Sequence, residues 1–307
     1  MKLREISAKD SLTQSVVAEM MKFASILFFA EFATMVGNAA YVRKVATATG
    51  GRFRALDNDF PDNTVTPAFI TPALKILGDK VMVDAAHERR GADVASVRAR
   101  ELMNFARNLG KQFQNYFING SSVQDGSAYD GLKVLVTGSQ KKTAAANGHT
   151  VTPGNDNAAK LSQQKFLELI DETLGLVEGG ADILLMDNLT LSRLTSIARD
   201  YVQYDKDEFG RPLAYYNGIP LVPAGWDRSG NKILPHNETV GGGTTCTSIY
   251  AAKFGELDAL THMTNVGVAV EDLGRQSVHY IHTVELDTVI GLLSAKAAAR
   301  LEGIIIG

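Results

Sequence analysis

The sequence predicts an α+β protein, and three observations carry that prediction. A long amphipathic helix is expected over residues 91–117. A middle region, residues 151–254, mixes two helices with several short strands. Two alternating apolar stretches near the end, residues 266–270 and 278–286, read as long strands.

Taken in chain order, residues 11–36 come first. They have helical character and are apolar on nearly every side, so they must be buried in a large core or against a partner. Their position leaves a partner subunit as one option. Glu19, Lys22 and Glu31 interrupt the stretch, and its uncharged centre is far shorter than the ~20 residues that span a bilayer. A soluble cytoplasmic product is expected.

Residues 41–85 form a β-rich excursion. Strands are expected at 42–48, 51–56, 64–70 and 75–83, with an exposed tip at 57–63 and with Pro67 and Pro72 confining the returning strands to edges or bends. The excursion has few large apolar residues, so alone it would be marginal and must lie on something else.

In the helix over 91–117, Val94, Val97, Leu102, Phe105, Leu109, Phe113 and Phe117 recur at helical spacing. Arg98, Glu101, Arg107, Lys111 and Gln114 fall between them. At 1.5 Å per residue such a helix is roughly 40 Å long, more a strut than an enzyme element. Asn119-Gly120 stops it, and a turn through Asp125-Gly126 and Asp130-Gly131 leads into residues 134–136. Residues 141–157 are polar and read as a loop or linker. A helix over 162–177 would be capped by Ser162 and stopped at Gly179-Gly180. A buried strand at 183–186 and a helix at 189–199 follow. Short strands are expected at 209–213, 221–222, 233–234 and 248–254, with a glycine-rich loop at 240–245. Residues 271–277 read as a hairpin-like turn between the last strands, and an apolar run over 289–306 closes the sequence.

Chemistry is scarce. The six histidines are scattered, and His279 and His282 would point to opposite faces of a strand. Residues 225–232 approach a phosphate loop, but Asn231 breaks the Gly-Lys pair. Gly241-Gly242-Gly243 precedes a strand and not a helix, so the anion-favouring helix terminus is missing. Asp205-Lys206-Asp207 starts like a calcium loop, yet Phe209 and Tyr216 stand where oxygen ligands belong. The one cysteine, Cys246, allows no internal disulfide and has no neighbouring base in sequence. No catalytic residue, metal ligand or cofactor is expected, and the protein is expected not to be an enzyme. The net charge of −3 argues against a basic tail that grips nucleic acid.

The succession resembles the major capsid protein of tailed bacteriophages, the Hong Kong 97 fold. Three pieces carry the resemblance. One is the helix followed by Ile118-Asn119-Gly120 and Asp130-Gly131-Leu132. Another is Ile183-Leu184-Leu185-Met186-Asp187, leading on to Gly210-Arg211-Pro212-Leu213 and Gly218-Ile219-Pro220-Leu221-Val222. The last is the alternating C-terminal strands.

The resemblance implies an N-terminal arm (residues 1–38), an extended β-loop lying across a neighbour (39–86) and a peripheral domain with the spine helix (87–150). It further implies an axial domain (151–254) and strands returning to the peripheral domain (255–307). The implied function is a structural shell, a virion capsid assembled in the host cytoplasm. Its partners are many copies of itself as pentamers and hexamers, with scaffolding and portal proteins. Double-stranded DNA is enclosed without sequence-specific binding, and no membrane is involved. Scaffolding would come from a separate chain or be already removed. The subunit-contact candidates are Phe23 and Phe28 on the arm, Phe60 at the tip, and Glu271, Asp272 and Arg275 in the turn, where an acid could pair with Arg275 of a neighbour. An encapsulin-like compartment is the alternative, and a soluble α+β enzyme a more distant one.

Overall fold

A computed structural model describes residues 1–38, 42–44, 51, 53–60, 68–91, 93–207 and 209–307. The chain starts with a short helix α1 (Leu3–Ile6) and helix α2 (Ser11–Phe23), followed by a 3-10 turn (Ser25–Phe28) and strand β1 (Phe32–Thr34). Strands β2 (Val42–Lys44) and β3 (Ala68–Ile70) pair antiparallel as a separate ribbon, Val42 opposite Ile70. Strand β4 (Lys75–Asp84), the short helix α3 (Ala86–Arg89) and the long helix α4 (Val94–Asn119) come next.

Beyond α4 lie α5 (Leu132–Leu135), β5 (Lys141–Thr143), β6 (His149–Val151), α6 (Asn157–Gly175), β7 (Ile183–Met186) and α7 (Asn188–Ile197). The second half is mostly strand: β8 (Val202–Lys206), β9 (Pro212–Tyr216), β10 (Ile219–Pro223), β11 (Glu238–Val240), β12 (Gly243–Ala252), β13 (Leu260–Thr264), β14 (Val268–Gln276), β15 (His279–Leu292) and β16 (Ala298–Ile306).

Two sheets organise these elements. A five-stranded sheet runs β1-β13-β15-β14, with β4 also pairing β15 over ten residues, His279 opposite Asp84 through Thr288 opposite Lys75. A nine-stranded sheet runs β5-β16-β12-β7-β10-β9-β8, with β11 on β12 and β6 on β16. Strand β7 is buried on both faces, and its side chains alternate between two cores. Ile183 and Leu185 join a core with α2, α4 and the five-stranded sheet, while Leu184 and Met186 join one with α6 and α7.

The four longer helices begin alike. Asp10, Asp93, Asp156 and Asp187 each accept a backbone N–H of the first turn, which satisfies donors the helix itself leaves free. Helix α4 then ties the two sheets together. Gln114 Nε2 donates to the carbonyls of Pro223 (2.9 Å) and Ala224 (2.7 Å), and Asn119 Nδ2 donates to that of Ile233 (2.7 Å). The turn after α4 depends on glycine. A Cβ on Gly120 would lie 2.4 Å from the Tyr129 carbonyl oxygen, and one on Gly131 would lie 2.5 Å from that of Tyr116.

Several expectations need correction. The arm does not wait for a partner. Val16, Val17 and Met20 are fully buried in their own chain, and β1 pairs parallel with β13, Phe32 opposite His262. Helix α2 crosses α4 so closely that a Cβ on Gly110 would sit 2.5 Å from the Met20 carbonyl oxygen. Residues 141–157 are not a free linker, because β5 and β6 pair parallel with β16. Helix α6 starts at Asn157 under an Asp156 cap. Ser162 instead donates to the Thr150 carbonyl and accepts from Thr152 N–H, fastening α6 to β6. Gln114, expected on the solvated side of its helix, is buried.

Residues 205–206 lie in β8, and Ile233 and Leu234 are buried outside any strand. The glycine-rich stretch is a tight turn at Gly241-Gly242 between β11 and β12. Strands β13, β14 and β15 belong to the five-stranded sheet, whereas β16, β5 and β6 belong to the nine-stranded sheet.

Candidate assembly surfaces

The β2–β3 ribbon leads toward the tip. Of the strands expected there, 42–48 is found as Val42–Lys44, 64–70 as Ala68–Ile70 and 75–83 as Lys75–Asp84. Residues 51 and 53–56 are not strand, and residues 45–50, 52 and 61–67 lie outside the described residues. Residues 53–60 form a local turn. Asn58 N–H donates to the Ala55 carbonyl, Arg54 donates to the Asn58 carbonyl (3.1 Å), and the Arg54 guanidinium lies 5.5 Å over the Phe60 ring. Asp57 takes φ +65°.

Among the described residues no hydrogen bond joins the tip to the body. Phe53 and Leu56 are 104% and 88% exposed, and Phe60 is also exposed. A side chain of that size gains about 1.5–3 kcal/mol on full burial, and among the described residues Phe53 and Leu56 are left almost wholly in solvent.

Phe23 ends α2 and remains partly exposed beneath Arg107 and Lys111 of α4. Phe28 is half-buried and meets Phe209 edge-on at 5.4 Å, an internal contact. The structure therefore spends part of the arm's aromatic surface within the subunit.

The β14–β15 hairpin holds the three charged candidates. The strand runs through Gln276, so the expected turn over 271–277 is in fact a two-residue turn at Ser277-Val278. Asp272 is engaged in its own chain. Its carboxylate accepts from Arg98 of α4 at 2.6 Å and from Gly274 N–H at 2.8 Å. Partial burial works against its charge, but the Gly274 and Arg98 hydrogen bonds outweigh it and hold the carboxyl below its usual range. His282 stands 3.2 Å from the same guanidinium, which also lies 4.9 Å over the Tyr280 ring. Burial lowers the His282 pKa, so it stays neutral there at neutral pH. Arg275 donates to the Ser277 carbonyl (3.2 Å), and Glu271 is exposed with no side-chain partner among the described residues. Glu271 and Arg275 remain outward, while Asp272 clamps α4 to the hairpin. Sequence reasoning missed this clamp because Arg98 reads as a solvated helix residue.

Two buried charge clusters were also invisible in the sequence. Asp187 caps α7 and accepts from Lys232 Nζ and His236 Nε2, each at 2.9 Å. Burial opposes its charge, yet these hydrogen bonds keep the carboxyl below its normal range. Leu189 N–H, Lys232 and His236 all converge on Oδ2, so Asp187 cross-links α7 to the 225–237 turn. Arg300 of β16 binds both carboxylate oxygens of Glu238 at 3.1 Å and contacts Ser248 Oγ. Among the described residues no group of three metal-ligating side chains occurs, and no helix is long and apolar enough to cross a membrane.

No protein-family model matches the sequence, and no curated protein does. Solved structures do match in fold. The holo-SrpI encapsulin complex of Synechococcus elongatus PCC 7942 superposes with a TM-score of 0.62 at 15% identity, over 92% of this chain and 88% of that one. The capsid of the native GTA particle gives 0.58 at 15% identity, over 92% and 90%. Mycobacterium phage Bobi gives 0.56 at 10% identity, over 92% and 90%. The chain has the Hong Kong 97 fold. It is the fold of subunits that build capsid and encapsulin shells, and the likeness spans almost the whole molecule.

Proposed function

We propose that this chain is the structural subunit of a closed icosahedral shell, a phage-type capsid that encloses double-stranded DNA. The observation that carries this reading is the tip: exposed apolar side chains on a ribbon that its own body leaves uncovered, in a fold shared with shell subunits. Identical copies supply the missing surface, and closed symmetry multiplies each modest contact. In this reading the five-stranded body with α4 is the peripheral domain and the nine-stranded body with α6 and α7 is the axial domain. Phe60, Glu271 and Arg275 meet neighbouring subunits. Scaffolding and portal proteins act during assembly in the host cytoplasm.

The encapsulin-like compartment is the second reading, favoured by the encapsulin match with its TM-score of 0.62. Electron microscopy of the purified protein tests both. Closed particles of uniform diameter are expected. A discrete monomer or dimer under all assembly conditions ends the shell reading. Particles filled with a protein cargo and free of nucleic acid transfer it to the encapsulin alternative.

A further inference from the structure

The chain carries net negative charge, yet its cations are not evenly spread. Along α4, Arg100, Asn104, Arg107 and Lys111 follow one another at four-, three- and four-residue steps and therefore share one face of the helix. The first three are exposed and Lys111 is half-buried. From Arg100 to Lys111 the stripe is about 16 Å long.

It continues onto α2 and the turn before β9. Lys22 lies 5.8 Å over the Phe209 ring, and so does Arg211, which donates to the Lys22 carbonyl at 2.6 Å. Among the described residues three carboxylates adjoin these five cations. Glu19 is shared by Lys22 (2.8 Å) and Arg107 (2.5 Å), Glu101 is 3.7 Å from Arg100, and Asp207 turns to the N–H groups of Phe209 and Arg211. Lys111 has no carboxylate partner among the described residues. Among the described residues a cationic excess remains here on an otherwise acidic molecule.

We propose that this stripe is where the shell wall touches its nucleic acid, through the phosphates of duplex DNA, so that this face of α4 looks into the lumen. The inference rests on the shell reading above and adds the contact surface. Duplex DNA presents one negative charge per ~1.7 Å, so a stripe of this length faces on the order of ten phosphates. The aromatic ring within the stripe favours backbone contact over base stacking. Phe23 is capped by Arg107 at 5.6 Å and by Lys111 at 5.9 Å, so its ring already serves cations and is not a free platform for an unpaired base. A few cations with no base-reading groups give weak, sequence-independent contact, which lets packed DNA slide along the wall.

The test uses the monomeric fraction of the full chain, isolated by size exclusion, and fluorescence anisotropy with a 30-base-pair duplex of mixed sequence at several salt concentrations. Arg100→Gln combined with Lys111→Gln is expected to flatten the slope of log affinity against log salt by about 2. Lys160→Gln combined with Lys165→Gln removes the same charge from the exposed side of α6 and should leave the slope unchanged. Particles of the stripe variant should also carry less nucleic acid per subunit, read by phosphate analysis.

An equal loss in the α6 variant overturns the proposal, as does tighter binding of a single strand than of the duplex. So does binding of poly-glutamate with no binding of duplex at low salt. Absence of particles in the unsubstituted protein would instead defeat the shell reading, and the anisotropy comparison would still stand.

Discussion

His262 shows how much one residue can reveal about this core. It is fully buried, stacked between Phe32 (4.9 Å) and the α4 rings of Phe113 and Phe117 (both 5.3 Å), and neither ring nitrogen has a hydrogen-bond partner. Burial alone pushes its pKa down to about 3, from 6.5. Between those values the unfolded chain binds a proton that the folded chain refuses. The histidine's contribution to stability is therefore complete above pH 6.5 and is lost as pH falls toward 3, at up to about 1.4 kcal/mol per pH unit. Replacing it by phenylalanine, His262→Phe, keeps the stack and removes the titration. Urea unfolding at pH 7 and pH 5 should show a smaller stability difference in the variant. An unchanged difference would assign the acid sensitivity to other groups such as His282, which stands beside the Arg98–Asp272 pair.

At the scale of elements, α2 crosses α4 in direct backbone contact at Gly110. A methyl there would meet the Met20 carbonyl, backbone that cannot swing aside. Helix propensity favours Gly110→Ala by about 1 kcal/mol, but overpacking costs about 1–3 kcal/mol, so a net loss of melting temperature is expected in thermal denaturation. Limited proteolysis should cut earlier between α2 and β1 as the arm lifts. A gain in melting temperature would mean the crossing is looser than its geometry. This contact explains what the sequence could and could not disclose. The apolar, all-round character of residues 11–36 announces burial, but it is silent on whether the covering surface is another subunit or the chain's own α4. Only Gly110, an unremarked glycine inside a helical pattern, hinted at the latter. The long helix, β7 and the β14–β15 pair were legible because their periodicity runs over many residues. Strands β5 and β6 were not, since three-residue strands that are mostly polar leave no apolar rhythm. The Arg98–Asp272 and Arg300–Glu238 pairs join residues 174 and 62 positions apart, and single-sequence spacing carries no record of such separations.

For the whole molecule the contrast that matters is between the two packed cores and the exposed tip side chains of Phe53 and Leu56. Helices α2 and α4 and both sheets close around two cores within one chain. At the tip Phe53 and Leu56 stand in solvent. On the proposed shell reading, such a chain is stable before assembly and gains its shell contacts afterwards, so folding and assembly should be separable by mutation. Phe53→Ser with Leu56→Ser removes about 3 kcal/mol or more of burial per subunit contact, while the body loses nothing it used. The melting temperature of the isolated subunit should stay within a degree or two. The subunit concentration needed for shells should rise roughly 100-fold, since each 1.4 kcal/mol is a factor of ten. Size exclusion across a concentration series, with electron microscopy of each fraction, reads both quantities. Shells forming at the original concentration would show that the tip is ornamental and that assembly rests on the bodies alone. A fallen melting temperature would show that the ribbon packs on its own subunit after all.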